Sequence, residues 1–377
     1  MTAPARLRHE PLPKAPHPLA GPNRFKLGIF SANADGGLAI TTVDERWPAR
    51  WEDCLAAARL AEAAGLEFVL PIARWRGFGG ETHAREWSFE TFTWAAALAA
   101  ATERIGLFMT VHVPLVHPLY AAKALATVDH VSGGRAGLNI VCGWNPDEFG
   151  MFGVALEGDA YARAAEWIEI IERAYAGAGV PFDYDGAFYR LKSVVSRPAS
   201  LQKPRPVTMN AAFGPPGRDF AARHCDYLFS TFTDIADGRR HVEDIRARGA
   251  AAGREVGVYT VCHVVCRPTQ AEAEDYYEHY AVAAADHGAV DYHMSKKREF
   301  ANSHDDRAFA AYRKRFAGGA GSYPLVGTPE RIVEEIGRIA AEGYAGAALT
   351  FVNYTDELPF FCGEVLPLMR EAGLRQS

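Results

Sequence analysis

Asn139 is the first residue in this sequence whose type and place could serve chemistry. It interrupts an apolar run, Ala136 to Cys142, whose length and branching read as a buried strand. An amide there needs partners for both its carbonyl oxygen and its NH2 group. The run breaks at Gly143 into Trp144, Asn145, Pro146, Asp147 and Glu148, which is loop chemistry. A strand ending in an amide, an indole and a carboxylate reads as the floor and rim of a ligand site. The bland alternative is a satisfied core amide before an ordinary turn.

The elements that would position this stretch alternate along the chain. Strands are expected at 25–31, 67–71, 105–111, 136–142, 207–210, 226–231, 256–266 and 346–352. Helices are expected between them, at 49–64, 88–101, 118–130, 161–175, 214–224, 242–251, 270–285 and 329–342, with a last one at 357–370. Eight apolar strands separated by helical segments is the count of a (β/α)8 TIM barrel, an α/β fold. An open doubly wound sheet accepts the same alternation, but no GxGxxG follows the first strand. The expectation is a Pro-rich N-terminal arm over 1–23 and a single barrel domain over 24–377. Two insertions interrupt it, near 177–206, where aromatic and turn residues suggest a hairpin, and near 290–325, which reads as an irregular, charged, Gly-rich excursion.

In such barrels the chemistry sits where strands end and the following loops begin. That rule selects Ser31 and Asn33 after strand one, and Arg74, Trp75, Arg76 and Phe78 after strand two. Gly77, Gly79 and Gly80 there would be hinges for a closing loop. It selects Thr110 and His112 at strand three, Asn139, Trp144 and Glu148 at strand four, and Thr350 and Asn353 at strand eight. Gly214 to Gly217 opens a helix whose N–H groups could hold a phosphate, although Pro215 and Pro216 supply none. Thr110 reads equally as a β-branched strand residue, His112 as a structural histidine, and the glycines as turn formers. No Ser-His-Asp order, HExxH or Walker pattern is present. A polar, aromatic barrel mouth without a side-chain nucleophile or a metal set points to cofactor-dependent chemistry.

Composition narrows the class. Over 377 residues, 49% hydrophobic and 23% charged residues supply a core of ordinary size. The formal charge of −6 and the lack of a basic stripe argue against nucleic acid. No apolar run reaches the roughly 18 residues of a membrane span, and the proline-rich start lacks a secretory h-region. The six cysteines are scattered, which suggests buried thiols in a reducing, cytoplasmic setting. Cys262, His263 and Cys266 lie on an alternating strand and make a poor metal set, so no metal is expected.

Three stretches carry a family resemblance. WRGFGG at 75–80, ATVDHVSGGRAGLNIVCGW at 126–144 followed by Glu148, and GDAYARAAEWIEI at 158–170 resemble the bacterial luciferase-like flavin monooxygenases. Within them, the pattern is similar to the pyrimidine monooxygenases of uracil catabolism and the dimethyl sulfone monooxygenases. The resemblance runs from about Phe25 to the C-terminus. It implies reduced FMN as cofactor, delivered by a separate NAD(P)H-dependent flavin reductase, with dioxygen as co-substrate and a flavin peroxide or N-oxide intermediate.

Asn139 and Glu148 match the family's flavin-contacting pair, and Ile72 and Ala73 match the strand-two exit that touches the flavin. Tyr161 matches the Tyr of an Arg-Tyr pair, with Ala160 where the Arg would stand, and Gly214 falls where the family often has Ser. Thr110 and Asn139 match the Thr and Asn that line the dioxygen pocket of the pyrimidine enzymes. Trp75 and Phe78 would close the lid, Arg74 or Arg76 would hold an anionic or carbonyl-bearing substrate, and His112 would meet the same small polar molecule. WRGFGG favours a pyrimidine- or amide-type ring; the GGL segment at 36–38 looks more like the sulfone enzymes. A deazaflavin-dependent dehydrogenase and a non-catalytic flavin-binding protein are the other readings, and a homodimer or homotetramer is implied.

Overall fold

The computed structural model describes residues 15–155, 157–177, 179–296 and 306–376. Residues 1–14 of the expected arm lie outside them. The chain order is β1 (Lys26–Phe30), α1 (Trp51–Ala63), β2 (Phe68–Leu70), α2 (Thr91–Ala101), β3 (Gly106–His112), α3 (Pro118–Ser132), β4 (Ala136–Val141), α4 (Pro146–Met151) and α5 (Ala160–Ala176). A hairpin, β5 (Phe182–Asp185) and β6 (Arg190–Val194), leads to β7 (Val207–Ala211), α6 (Pro215–His224), β8 (Tyr227–Phe229), α7 (Ile235–Ala251), β9 (Gly257–Cys266) and α8 (Gln270–Glu278). The chain ends through α9 (His287–Lys296), α10 (Asp306–Gly319), β10 (Tyr323–Gly327), α11 (Pro329–Ala341), β11 (Gly346–Thr350) and α12 (Tyr354–Glu371).

Eight strands close a parallel barrel in the order β1-β2-β3-β4-β7-β8-β9-β11, with β11 returning to β1. Side chains alternate between two cores, as the two-residue period of a strand demands. Leu107, Met109, Leu138 and Ile140 face the helices. Phe68, Phe108, Met209, Tyr259 and Ala348 fill the barrel interior. Two strand glycines make room for those rings: a methyl at Gly28 would sit 2.5 Å from Phe68, and one at Gly137 2.6 Å from Phe108. Leu19 and His17 close the lower end, His17 edge-on to Phe108 at 5.9 Å. The described end of the arm is therefore part of the barrel's packing.

The expected hairpin is present as β5 and β6. The 290–325 stretch differs from the irregular excursion expected of it: where described, it is helical and carries a ninth parallel strand. β10 pairs with Cys262–Cys266 on the edge of β9 that β8 has left after Tyr259. Gly318 and Gly319 there permit close approach. A methyl at Gly319 would meet Ser322 Oγ at 2.4 Å and His263 Nδ1 at 2.5 Å. On the amphipathic helix α10, Lys314 lies outward, paired to Glu278, Arg315 turns toward the cavity, and Phe316 and Ala317 are buried.

Candidate functional site

A cavity of about 1140 Å³ opens at the C-terminal ends of the barrel strands, lined in part by Phe30, Leu38, Ile72, Val141 and Trp144. Ile72 and Arg74 reach it because the chain beyond β2 keeps the inward parity of Phe68 and Leu70. Asn33 holds that extension as a neighbouring strand would. Its Oδ1 accepts from the Ile72 N–H at 2.9 Å, and its Nδ2 donates to Ile72 O at 2.8 Å and to Phe89 O at 3.1 Å.

Glu148, in the first turn of α4, pins the rest of the exit. Its Oε1 accepts from the backbone N–H of Trp75 at 2.9 Å and of Arg76 at 3.4 Å. Its Oε2 lies 2.9 Å from Arg74 Nη1 in an ion pair whose side chains are 0% and 9% exposed. Burial pulls the Arg74 guanidinium below its ordinary range, and the Glu148 charge opposes this. Arg74 also lies over the rings of Phe78, at 4.8 Å, and Trp144, at 5.1 Å. Phe78 stacks on His293 at 3.7 Å.

Further along the loop, Thr82 donates to Asp286 through both its N–H and its hydroxyl. Gly77 is packed against Glu86, where a methyl would stand 2.7 Å from its Cβ; Gly79 and Gly80 have φ of 64° and 74°. The loop expected to hinge is tied at both ends. Trp75 is exposed and edge-on to Phe152, and Arg76 is exposed as well; neither lines the large cavity.

Thr110 and Asn139 are cross-strand partners in the β3–β4 register and are both buried. Thr110 Oγ1 donates to Pro71 O at 2.5 Å, and Asn139 Nδ2 donates to Thr110 Oγ1 at 3.1 Å. A hydroxyl has one proton, so this chain runs in one direction and leaves Asn139 Oδ1 buried without a partner. Asn139 shares the inward parity of Val141, one step deeper than the cavity wall. Thr110, Ala73 and His112 border a second cavity of about 30 Å³ beside Arg74 and Thr91. His112 is buried, its Nδ1 lacks a partner, and burial followed by the Arg74 charge holds its pKa down to about 3. It is a neutral imidazole at ordinary pH.

Tyr161 at the start of α5 meets the N-terminus of α6, where its hydroxyl would be 2.6 Å from a methyl at Gly217. Gly214 caps α6 with no side-chain bond, and Phe213 and Arg218 beside it line the large cavity. Of the strand-eight candidates, Thr350 bonds the Tyr354 hydroxyl at 2.9 Å and Asn353 is the N-cap of α12, so their polar groups serve local structure.

Arg85, His293, Lys296 and Arg315, none of them at an expected strand end, also line the large cavity. The last three come from α9 and α10, in the stretch read as irregular. Arg85 sits mid-loop in a segment without periodicity and is 2% exposed. Its Nε and Nη2 donate to Gly37 O and Leu38 O at 2.9 and 2.6 Å. Burial, and then the charge of Arg74, lowers its pKa to about 9. No cluster of metal-ligating side chains occurs among the described residues, and no helix among them is long and apolar enough to cross a membrane.

Comparison with known proteins agrees with this architecture. The family model for luciferase-like monooxygenases matches residues 25–346. The chain is 30% identical over 358 residues to an FMNH(2)-dependent dimethylsulfone monooxygenase of Pseudomonas putida, covering 92% of this chain and 96% of that protein. It is 29% identical over 369 residues to the pyrimidine monooxygenase RutA of a Bradyrhizobium species, covering 93% and 98%. Its fold superposes on that of DmoA from Hyphomicrobium sulfonivorans with a TM-score of 0.81 at 19% identity, covering 94% of this chain and 90% of that one. With the family pattern spread over nearly the whole closed barrel, the chain belongs to the luciferase-like monooxygenase family.

Proposed function

We propose that this protein is the oxygenating component of a two-component, FMN-dependent monooxygenase. It takes reduced FMN from a separate NAD(P)H-dependent flavin reductase and uses dioxygen to oxygenate a small polar molecule. The observation that carries this is the one-way chain from Asn139 through Thr110 to Pro71, which leaves Asn139 Oδ1, at its start, with nothing to accept from among the described residues. A buried acceptor left open at a barrel mouth is a cost that a ligand N–H would remove.

The residues present fit FMN. The large cavity exceeds the usual volume of a small-molecule site, roughly 300–1,000 Å³, and its wall of Phe30, Leu38, Ile72 and Val141 is apolar. Ile72 would flank the ring from the wall of the large cavity, with Ala73 behind it on the smaller one and Asn139 one step deeper. Tyr161, Gly214 and the N–H of Gly217, the first helical residue of α6 able to donate, would face the phosphate. Ala160 contributes nothing there, so Tyr161 works without the Arg of the family pattern. When bound, reduced FMN supplies the electrons that activate dioxygen.

The chain's own residues do the rest. Asn33 and Glu148 hold the β2 exit in place, while Phe78, Trp144 and His293 limit water at the mouth. The 30 Å³ cavity beside Thr110 has room for one molecule the size of water or dioxygen. Because the Thr110 proton is committed to Pro71 O, the second Asn139 N–H is the donor left for oxygen that gains charge.

Pyrimidine-type rings and sulfones are both substrates of relatives at nearly equal identity. The test is an anaerobic titration with reduced FMN and with a reduced deazaflavin, followed by labelled dioxygen in the presence of uracil, orotate, dimethyl sulfone or methanesulfonate. Tighter binding of reduced FMN and label in an organic product are expected. Tighter deazaflavin binding, or hydrogen peroxide as the sole product with all four, would overturn the proposal.

A further inference from the structure

The large cavity is strongly asymmetric in charge. Among the described residues, Arg74, Arg85, Arg218, Lys296 and Arg315 line it, against the single carboxylate of Asp237. Three of these cations are neutralised in place: Arg74 by Glu148, Arg218 by Asp244 and Lys296 by Asp147. Asp237 is itself shared between Arg240 and His241.

Arg85 and Arg315 make no direct ion pair among the described residues; Asp35 acts on Arg85 only from a distance, its charge opposing the fall in the Arg85 pKa without meeting the guanidinium. Arg85 spends three of its N–H directions on Gly37 O, Leu38 O and the His293 ring. Arg315, on α10, donates to the backbone oxygens of Ser322, Thr233 and Phe232. A guanidinium has five N–H donors, so each keeps two. Backbone carbonyls orient a guanidinium but leave its net charge in place. A charge held in a partly dry cavity without a directly paired counter-ion is costly unless a ligand brings the opposite sign. Both are arginines, whose forked donors match a planar or tetrahedral oxyanion.

We infer that the substrate carries an anionic group, a carboxylate or a sulfonate, and that Arg85 and Arg315 receive it at the mouth of the large cavity. This rests on the monooxygenase reading of that cavity and sets its substrate apart from the uncharged sulfone and pyrimidine rings. The cofactor phosphate would present the same chemistry. It is assigned to the α6 N-terminus beside Tyr161 and Arg218, whereas Arg315 is anchored after β8 and Arg85 after β2.

Two matched pairs of probes test the inference: methanesulfonate against dimethyl sulfone, and orotate against uracil. Dissociation constants are measured by calorimetry on the full chain, with and without reduced FMN, under anaerobic conditions at fixed ionic strength. Each anion is expected to bind at least about tenfold tighter than its neutral counterpart. Arg85→Gln and Arg315→Gln should each abolish the preference, and Arg85→Lys and Arg315→Lys should retain most of it. Equal or weaker binding of the anions to the wild-type protein overturns the inference, as does a preference that survives both Gln substitutions.

Comparing FMN with riboflavin separates the two sources of the anion. If the Gln variants weaken FMN but not riboflavin, the arginines serve the cofactor phosphate and the inference fails. Failure of the wild-type protein to bind reduced FMN would instead sink the monooxygenase reading. The anion preference of the cofactor-free protein would still report on the two arginines.

Discussion

Asn139 and Thr110 face each other across β3 and β4, and the amide donates to a hydroxyl that has already given its proton to Pro71 O. The orientation of both side chains follows from that one proton. For the proposed oxygenase, Asn139→Ala should lower kcat by about 10²–10³ if its N–H meets developing charge, while the dissociation constant of reduced FMN changes far less. Thr110→Val removes the hydroxyl and strands Pro71 O, so it should cost about 1–3 kcal/mol of stability as well as rate. Single-turnover kinetics with parallel flavin titrations check both; equal losses in binding and turnover would mean that the pair only binds.

Glu148→Gln tests the buried pair with Arg74. It would leave the guanidinium without its counter-charge in a site where the pair is 0% and 9% exposed, a change worth about 3–5 kcal/mol. Urea denaturation should show the loss. Replacing Arg74 by Met in the same background should recover part of it, because the uncompensated charge is then gone.

Acid should unfold the protein through its buried imidazoles. His112 is held down to about 3, by burial first and Arg74 second, against an ordinary 6.5. His263 is likewise held to about 3 by burial. Between pH 6.5 and 3 the unfolded chain binds protons that the folded chain refuses, so stability is present above the unfolded pKa and falls as pH drops through that window. The slope should approach about 1.4 kcal/mol per pH unit for each such group. His112→Asn should flatten the slope by about one group in denaturation at a series of pH values; an unchanged slope would show that this imidazole does not stay neutral.

The two strand glycines make a sharper packing test. Gly28→Ala places a methyl 2.5 Å from Phe68, and Gly137→Ala places one 2.6 Å from Phe108. Each should cost about 1–3 kcal/mol by overpacking, with thermal unfolding as the measurement. Gly150→Ala, where a methyl meets nothing within 4 Å, is the control and should change little.

Eight barrel strands and the helices between them were legible because strand and helix periods are local properties, written in which neighbours are apolar. Asn139 was legible for the same reason: an amide within an apolar run is out of place wherever the chain goes. β10 was missed because Gly318, Gly319 and Gly321 read as loop, although the first two mark places where α10 and the turn after it press against Tyr277 and His263. That distinction depends on what lies opposite, which no local pattern encodes.

The sequence alone therefore determined the barrel, its (β/α) order and the strand ends where chemistry gathers. Only the tertiary structure decided which polar groups meet there. It turned Asn353 into a helix cap and tied the Gly-rich loop to Glu148 and Asp286. It also brought Arg85 and Arg315, 230 positions apart in the numbering, to one cavity with no direct ion pair for either among the described residues. Charge compensation is a matter of distance in space, and sequence spacing carries that distance only within a helix, a strand or a turn.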